Sequence, residues 1–395
     1  MTQVHFTMDS KDIQNLIEKS VTDSSAKLIL TTVFNQLMEE QRTEYIQAAN
    51  YERTDNRTTQ RNGYYDREYT TRIGTLTLRV PRTRDGEFSP TIFERYQRNE
   101  KALLAAIVEM YVSGVSTRKV TQIVEELCGK SVSKSFVSSL TKELDPIVEE
   151  WQNRALVDTK YPFLMTDVIY IKVREDKRVI SKSCHIAIGI SNQGNREILG
   201  FMIENGESED SWVRFFQQLK NRGLSDTKLV ISDAHAGQVS AIKKVFAGAS
   251  WQRCQVHFMR NILSVIPRKN SKAFRESLKS IFRYTDIEIA RKAKDALIQD
   301  YADSNKYKKA CDKLDDGFED AFQYSVVTRQ AYNRLKSTNA LERLNEEIRR
   351  REKVIRIFPN EQSATRLIGT ILMDINEEWI SSSKKYINLD DEDLK

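Results

Sequence analysis

Three carboxylates stand at positions suited to chemistry. Asp167 interrupts an apolar run, FLMTDVIYIKV, that has the composition of a β-strand, where aspartate is depleted. Asp233 closes a second such run, KLVISDA, at the strand end where open α/β sheets bind ligands. Glu342 follows in a helical segment. Carboxylates are preferred ligands of Mg²⁺, and two Mg²⁺ ions about 4 Å apart catalyse displacement at phosphodiester bonds. The three acids therefore indicate metal-dependent phosphoryl transfer, with Mn²⁺ as a substitute metal.

Each acid also has a structural interpretation. Asp167 could face water at a sheet edge, and Asp233 could cap the helix that follows it. Asn339 stands three residues before Glu342, and Asn-x-x-Glu is close to a capping box. Taken singly, each acid favours the structural interpretation. The catalytic interpretation of the two aspartates is stronger when they are considered together, because the predicted sheet makes their strands neighbours.

Basic residues surround Glu342. Arg349 lies seven residues further on, on the same helical face. The other nearby cations are Lys336, Arg343, Arg350, Arg351, Lys353 and Arg356. Glu342 can ligate a metal while such cations hold phosphates, and we predict nucleic-acid contacts for Lys336, Arg343 and Arg349.

Cys254 and His257 form a Cys-x-x-His pair that resembles half of a zinc site. A structural zinc site needs four ligands, and the remaining Cys and His residues have no paired spacing. Buried packing or support of a neighbouring site is the favoured interpretation, and zinc is the alternative.

The elements around the aspartates read β-β-β-α-β-α-β from residue 161 to residue 258. Three hairpin-linked strands followed by alternating helices and strands predict a mixed sheet covered by helices, as in an RNase H-like core. Its fifth strand is predicted in SWQRCQVHF, over 250–258. The strand pattern then stops, and residues 259–335 read as an all-α insertion before the last core helix.

The N-terminal part is predicted to be mainly helical. Residues 10–50 have helical spacing, residues 51–66 read as an exposed polar arm, and residues 73–86 read as a strand or short hairpin ending in Asp-Gly. The arm contains Arg53, Arg57 and Arg61. The strand or hairpin has a basic edge formed by Arg72, Arg79, Arg82 and Arg84, and we predict DNA contacts for Arg82 and Arg84.

Two short helices are predicted on either side of Gly129. Ser116 and Ser133 are plausible caps, and the arrangement is typical of a helix-turn-helix. The second helix would enter the major groove. Its candidate contacts are Ser133, Lys134, Ser135, Ser138 and Ser139, with Arg118 on the first helix. A generic helical hairpin is the favoured alternative on pattern alone.

Composition bounds the class of protein. The 395 residues predict more than one domain, and 62 Lys and Arg against 56 Asp and Glu give a modest net charge of +6. The segment from Met259 to Lys336 has 17 Lys and Arg and 11 Asp and Glu, an excess as large as that of the whole chain. Such a local field attracts polyanions, although a solvated helical surface is an equal alternative. Four scattered cysteines, no signal-peptide pattern and no long apolar stretch predict a cytoplasmic protein, nucleoid-associated when acting.

The sequence resembles the Mutator-type family of bacterial insertion-sequence transposases from end to end. The similar segments are RNGYYDREYTTRIGTLTLRVPRTRDG, STRKV, LMTDVIYIKVRE, VISDAHAG, WQRCQVHF and STNALERLNEEIRRREK. The resemblance implies a DDE transposase with an RNase H-like core and a helical insertion between the second and third acids. By position, the triad is Asp167, Asp233 and Glu342, the Cys-x-x-His pair is Cys254 and His257, and the following basic residue is Arg349. Ala234 and Gln238 depart from the usual glycine and leucine, which puts local turn geometry in doubt.

These observations predict an enzyme that binds the terminal inverted repeats of its element, cleaves a strand and transfers the freed 3′-hydroxyl, by way of a circular intermediate. A homodimer is expected, because two ends must be brought together. The predicted parts are 1–98 (helices, arm and hairpin), 99–158 (helix-turn-helix), 159–258 with 336–380 (catalytic core), 259–335 (insertion) and 381–395 (acidic tail). A non-catalytic DNA-binding regulator and a structure-selective nuclease are the alternatives.

Overall fold

The computed structural model describes residues 23–71, 74–91, 101–128, 132–267, 269, 271–326 and 329–389. The chain divides into two compact units, one up to Lys142 and one from Glu143 onward. Each unit has its own hydrophobic clusters. No helix among the described residues combines the length and apolar character that a membrane span requires.

The first described element of the first unit is a helix packed on a β-hairpin. Helix α1 (Asp23–Ile46) covers strands β1 (Arg61–Thr71) and β2 (Gly74–Thr83), which pair antiparallel. The buried side chains are Met38, Tyr69, Leu76, Leu78 and Val80. The predicted arm is wrong from Arg61 onward, because residues 61–66 form the first half of β1, although most of them are exposed as predicted. That half of β1 is joined to β2 through its backbone while most of its side chains stay exposed, so it has no apolar alternation.

The two predicted helices on either side of residue 129 are confirmed. Helix α2 (Lys101–Val112) packs with α3 (Thr117–Cys128) and α4 (Lys134–Thr141). The Ser133 hydroxyl accepts a hydrogen bond from the N–H of Phe136 at 3.0 Å, as an N-cap does. The shared core is Leu103, Ile107, Val120, Val124, Cys128, Val137 and Leu140. Gly129, Arg72 and residues 10–22 lie outside the described residues.

The second unit contains a mixed five-stranded sheet. Its strands are β3 (Phe163–Glu175), β4 (Arg178–Ile190), β5 (Arg196–Glu204), β6 (Leu229–Ser232) and β7 (Ser250–Arg253). The order across the sheet is β5-β4-β3-β6-β7, with β3, β4 and β5 antiparallel and with β6 and β7 parallel to β3. The predicted mixed sheet is therefore present, and β3 is its central strand.

Helices cover this sheet. The unit opens with α5 (Asp145–Asn153), and α6 (Glu209–Asn221) and α7 (Ala236–Val245) follow β5 and β6. Their aromatic side chains, led by Trp212 and Phe216, pack with sheet residues such as Leu164 and Val230. The predicted order of strands and helices is confirmed up to β7.

The predicted fifth strand is wrong in its second half. Strand β7 ends at Arg253, and α8 (Gln255–Leu263) begins two residues later. The apolar pattern continues past Arg253 because the buried residues of α8, among them Phe258 and Ile262, belong to the hydrophobic core of the helical segment that follows. Cys254 and His257 therefore lie at a helix start instead of in a strand.

The described residues from 255 to 335 contain helices and no strands. These are α8, α9 (Lys272–Ile281), α10 (Ile287–Asp300), α11 (Lys308–Gly317), a 3₁₀ segment (Glu319–Val326) and α12 (Arg329–Leu335). They share a core rich in aromatic residues, which includes Phe258, Phe274, Phe318 and Phe322. The segment predicted as all-α is helical, and its helices start four residues earlier than predicted.

Two long helices complete the second unit. They are α13 (Asn339–Ile355) and α14 (Glu361–Ser381), and α14 packs on β5, β3 and α5. The segment that follows returns to the sheet, where the N–H groups of Tyr386 and Ile387 donate to the carbonyl of Gly194. A side chain at Gly194, whose φ is +84°, would collide with the Ile387 backbone. The first part of the predicted acidic tail is therefore anchored, and residues 390–395 lie outside the described residues.

Candidate active site

Asp167 lies on β3, and Asp233 lies directly after β6, which is the neighbouring strand of the sheet. The last paired residues of the parallel strands β3 and β6 are Met165 and Ile231. Asp167 lies two residues beyond Met165, and Asp233 lies two residues beyond Ile231. Both aspartates therefore follow the same end of the β3–β6 pairing, and the charge of Asp233 acts on Asp167.

The surroundings of Asp167 disfavour its negative charge. Burial raises the pKa of the Asp167 carboxyl to about 6. The N–H of Val168 and the charge of His257 oppose this rise, while the charges of Asp233 and Glu342 add to it. The predicted triad therefore interacts electrostatically at Asp167. The edge-strand interpretation of Asp167 is wrong, because β3 is central.

Asn345 holds the Asp167 side chain. Its Nδ2 donates to Oδ2 of Asp167 at 2.8 Å, and Asn345 is only 8% exposed. Asn345 shares the buried face of α13 with Leu341, Leu344 and Ile348. Sequence reasoning missed this residue. An amide on an otherwise apolar helical face was the available signal.

Asp233 shapes the turn that leads from β6 into α7. Its Oδ1 accepts a hydrogen bond from the N–H of His235 at 3.0 Å. The N-cap residue of α7 is His235, so the interpretation of Asp233 as that cap is wrong. Ala234 does not adopt a positive φ, and the turn therefore needs no glycine there.

Gln238 connects this turn to β3. Its Nε2 donates to the hydroxyl of Thr166 at 2.9 Å, and both residues are fully buried or nearly so. Thr166 directly precedes Asp167. The substitution of the usual leucine by Gln238 thus adds a hydrogen bond beside the strand that carries the first acid.

Glu342 is held by a cation. The carboxylate accepts hydrogen bonds from both terminal nitrogens of Arg260, at 2.6 and 3.3 Å, and lies 3.6 Å from Nε2 of His257. The N-cap of α13 is Thr338, which makes Glu342 the fourth helical residue, and no side chain caps the helix. The capping-box interpretation is therefore wrong. Arg260 was missed, because nothing in the sequence separates it from the other cations of its segment.

Cys254 ties the start of α8 to the start of α13. Its sulfur accepts hydrogen bonds from the N–H of Thr338 at 3.4 Å and from the Thr338 hydroxyl at 3.3 Å. Burial opposes ionisation of the thiol, but hydrogen bonds from His257 and Thr338 offset it and lower the pKa of Cys254. Cys254 thus joins the two helix starts that carry His257 and Glu342.

His257 adds positive charge beside the acids. The hydrogen bond with Cys254 raises the pKa of His257 to about 9. Burial opposes that rise, and the charges of Cys254, Asp167 and Asp233 support it. Cys254 and His257 thus lie beside the acids, with Cys254 bonded to Thr338 and His257 near Glu342.

The three carboxylates are ligands of the type that Mg²⁺ prefers, but they are not arranged as a complete metal site. Within the described part of the chain, no three Asp, Glu, His or Cys side chains are grouped closely enough to hold a metal ion. The zinc alternative for Cys254 and His257 gains no support from this. For the acids, Arg260 holds Glu342, and Asp167 carries a raised pKa beside two other negative groups. A cation at Asp167 would relieve that repulsion, and release of Glu342 from Arg260 would supply the third oxygen donor.

The predicted nucleic-acid contacts fall in both units. The exposed candidates of the first unit are Arg82, Arg84, Arg118, Lys134, Ser135 and Ser138. Arg84 donates to Gln60 at 2.6 Å, and the Arg82 guanidinium lies over the ring of Tyr65. In the second unit, Arg343 and Arg349 are exposed on α13, and Lys336 is half-buried with a lowered pKa caused by burial.

Comparison with known proteins identifies the family. The family model for transposases of the Mutator family matches residues 1–382. The chain is 70% identical over 390 residues to the transposase for insertion sequence element IS256 in transposon Tn4001 of Staphylococcus aureus, covering 99% of this chain and 100% of that protein. It is 42% identical over 363 residues to the ISRM5 transposase of Rhizobium meliloti, covering 92% and 90% of the two chains. It is 36% identical over 383 residues to the IS1081 transposase of Mycobacterium tuberculosis, covering 96% and 92%. The chain belongs to the Mutator family of insertion-sequence transposases.

Proposed function

We propose that this transposase binds the terminal inverted repeats of its insertion sequence, cleaves one strand at the element end, and joins the freed 3′-hydroxyl to another phosphodiester. The observation that carries the proposal is that Asp167 on β3 and Asp233 directly after β6 follow the same end of the pairing between these strands. The charges of Asp233 and Glu342 both act on the Asp167 carboxyl. A circular intermediate is the product we expect from the family resemblance.

The roles of the site residues follow from their surroundings. Asp167, Asp233 and Glu342 would hold Mg²⁺, with Mn²⁺ as a substitute. Bound there, the metal would activate the attacking water or hydroxyl and stabilise the leaving oxygen. Asn345 fixes the rotamer of Asp167 through its amide hydrogen bond. His257 and Arg260 place positive charge beside the acids, where the phosphate of the scissile bond would lie.

DNA recognition is assigned to surfaces of both units. In the first unit, α3 and α4 would act as a helix-turn-helix, with Lys134, Ser135 and Ser138 facing the major groove. Arg82, Arg84 and Arg118 would contact phosphates there. In the second unit, Lys336, Arg343 and Arg349 would do so.

The remaining assignments complete the proposal. The mixed sheet would be an RNase H-like core with the helices of 259–335 inserted into it, within the domain limits given above. The active form would be a homodimer acting on DNA in the cytoplasm, because two element ends must be joined.

The test is an assay of the full-length protein on labelled duplexes that carry the element's own ends. With Mg²⁺ we expect nicking and joined products, with EDTA neither, and with Asp167→Asn end binding without nicking. Asp167→Asn that still nicks would overturn the metal-ligand role.

The same assay separates the two alternatives. End binding by the wild-type protein without nicking, in either Mg²⁺ or Mn²⁺, would indicate a non-catalytic regulator. Nicking that never yields joined products would indicate a structure-selective nuclease.

A further inference from the structure

A second polar site lies in the second unit, apart from the carboxylates. It is a cleft of about 540 Å³ lined by the start of β5, the end of α12, the first turn of α13, the end of α14 and the segment after it. We call it the arginine cleft, after Arg196, Arg334 and Arg343. Lys384 and Lys385 add two further cations, and Glu378 is the one acidic residue of its lining among the described residues.

Two of the three arginines, Arg196 and Arg334, lie over aromatic rings. The Arg196 guanidinium lies 3.9 Å from the ring centre of Trp379 and 5.1 Å from that of Tyr386. Arg334 lies 5.3 Å from the ring centre of Tyr386. Within the described part of the chain, none of Arg196, Arg334 and Arg343 forms a salt bridge. Stacking on a ring leaves the in-plane N–H donors of a guanidinium available to an anion.

Mutual repulsion shows that the cations converge. Burial lowers the pKa of Arg196, and the charges of Arg343 and Arg334 lower it further. Only Tyr386 and Glu378 act in the other direction. Grouping these cations without carboxylate partners costs electrostatic energy, and a bound polyanion would recover it.

A neighbouring cleft gives the contrast. It has a volume of about 450 Å³ and is lined by Glu347, Asp374, Glu377 and Glu378, with Arg351 as its basic residue. Both clefts border the end of α14. Basic residues therefore line the cleft that contains Arg343, and acidic residues line the neighbouring cleft.

The arginine cleft adjoins the helical turn that carries Glu342. Arg343 is the next residue of α13, and Asn339 and Ala340 of the first turn also line the cleft. Successive residues point about 100° apart around a helix. Glu342 and Arg343 thus face different sides of one helical turn, Glu342 toward the other acids and Arg343 toward the cleft. A DNA strand held at the acids can therefore pass around this turn into the cleft. The helix start adds its partial positive charge on the same side.

We propose that the arginine cleft binds the phosphodiester backbone of the DNA strand held at the carboxylates. Arg196, Arg334 and Arg343 contact its phosphates, and the rings of Trp379 and Tyr386 fix Arg196 and Arg334 in place. The inference rests on the proposed function for the identity of the polyanion. The arginine cleft would thus set the path of the DNA strand beyond the three acids.

The test is DNA binding by the full-length protein in EDTA, where no cleavage contributes. The affinity for a labelled duplex with an element end and for a scrambled duplex of equal length is measured over a range of salt concentrations. Arg334→Gln is the main variant, because Arg334 is exposed and its replacement leaves the core intact. The control is Arg178→Gln, which removes one exposed charge from the β3–β4 turn of the same unit.

We expect Arg334→Gln to weaken binding of both duplexes roughly 3- to 10-fold. The slope of log affinity against log salt should fall by about 0.9 for each phosphate that the variant no longer neutralises. Arg178→Gln should change neither the affinity nor the slope. Arg196→Gln should repeat the effect of Arg334→Gln, with thermal unfolding as the check on its fold.

Three results would overturn the proposal. One is an equal effect of Arg334→Gln and Arg178→Gln, and the second is an effect confined to the element-end duplex, which indicates base reading. The third comes from an RNA duplex of the same sequence, measured beside the two DNA duplexes: an effect of Arg334→Gln on RNA binding alone would point to RNA as the polyanion. Failure of the wild-type protein to nick DNA with Mg²⁺ would count against the proposed function alone, since binding in EDTA does not depend on it.

Discussion

The strand-borne aspartates and the helix-borne glutamate are held by different kinds of interaction. The backbone ladder of β3 and β6 ends two residues before Asp167 and two residues before Asp233, and it sets where both aspartates lie. Glu342 depends on side chains, because Arg260 binds its carboxylate and Cys254 bonds to the residue before its helix. A ladder has one register, whereas a surface ion pair exchanges partners at low cost. The site therefore combines two fixed acids with one adjustable acid.

Their electrostatic surroundings differ in the same sense. Burial and the charges of Asp233 and Glu342 raise the pKa of Asp167 to about 6, and its direct side-chain partner is the neutral amide of Asn345. Glu342 has a guanidinium as its partner and a histidine nearby. The first acid gains most from an added cation, while the third must give up a cation that it already holds.

The largest expected effect comes from lengthening a fixed acid. Asp167→Glu adds one methylene in a buried position whose strand cannot shift. Since a misplacement of about 1 Å costs about 100-fold in rate, we expect a loss of at least that size in single-turnover nicking. Asp167→Asn, which keeps the length, is the matched control for loss of charge. Activity within about tenfold of wild type would contradict a fixed position.

Shortening the adjustable acid should cost less. In Glu342→Asp, the first turns of α13 and the Arg260 side chain can move to compensate, and we expect a nicking rate reduced by roughly tenfold. The rate is measured beside that of Asp167→Glu on the same duplex. If the two variants slowed nicking by the same factor, the distinction between fixed and adjustable acids would fail.

This distinction also explains what the sequence could predict. Asp167 and Asp233 break the residue preferences of local strands, and their juxtaposition follows from the order of elements, so both are accessible to pattern reasoning. The sheet and the helices that follow it were predicted for the same reason. The first half of β1 was missed because its pairing uses backbone groups while its side chains face water.

Contacts between distant parts of the chain lay beyond the local pattern. The pairing of Glu342 with Arg260 joins positions 82 residues apart, and the bond of Asn345 to Asp167 joins positions 178 apart. The capping-box interpretation failed because the N-cap of α13 is Thr338 instead of Asn339, and the N–H and hydroxyl of Thr338 donate to the sulfur of Cys254. The arginine cleft likewise gathers residues from several elements, and no single segment of the sequence shows it.

The smallest expected effect tests the hold on Glu342 directly. In Arg260→Gln, the Glu342 carboxylate loses its ion pair and is free for a metal ion. The Arg260 side chain is 60% exposed, so the pair contributes at most about 1 kcal/mol. We therefore expect Mn²⁺ to bind the DNA-free protein up to roughly fivefold more tightly, as measured by titration calorimetry at low salt.

The matched control is Arg291→Gln, because Arg291 forms the same kind of pair with Glu288 and Glu319 in the helical segment after β7. It removes an equal charge without touching the acids. The double variant Arg260→Gln with Glu342→Gln should lose the gain, since the freed ligand is then absent. If Arg291→Gln increased the Mn²⁺ affinity by the same factor, the change in net charge alone would explain the effect of Arg260→Gln. Weaker Mn²⁺ binding by Arg260→Gln would mean that Arg260 positions Glu342 for the metal instead of competing with it, and the third acid would then be as fixed as the first two.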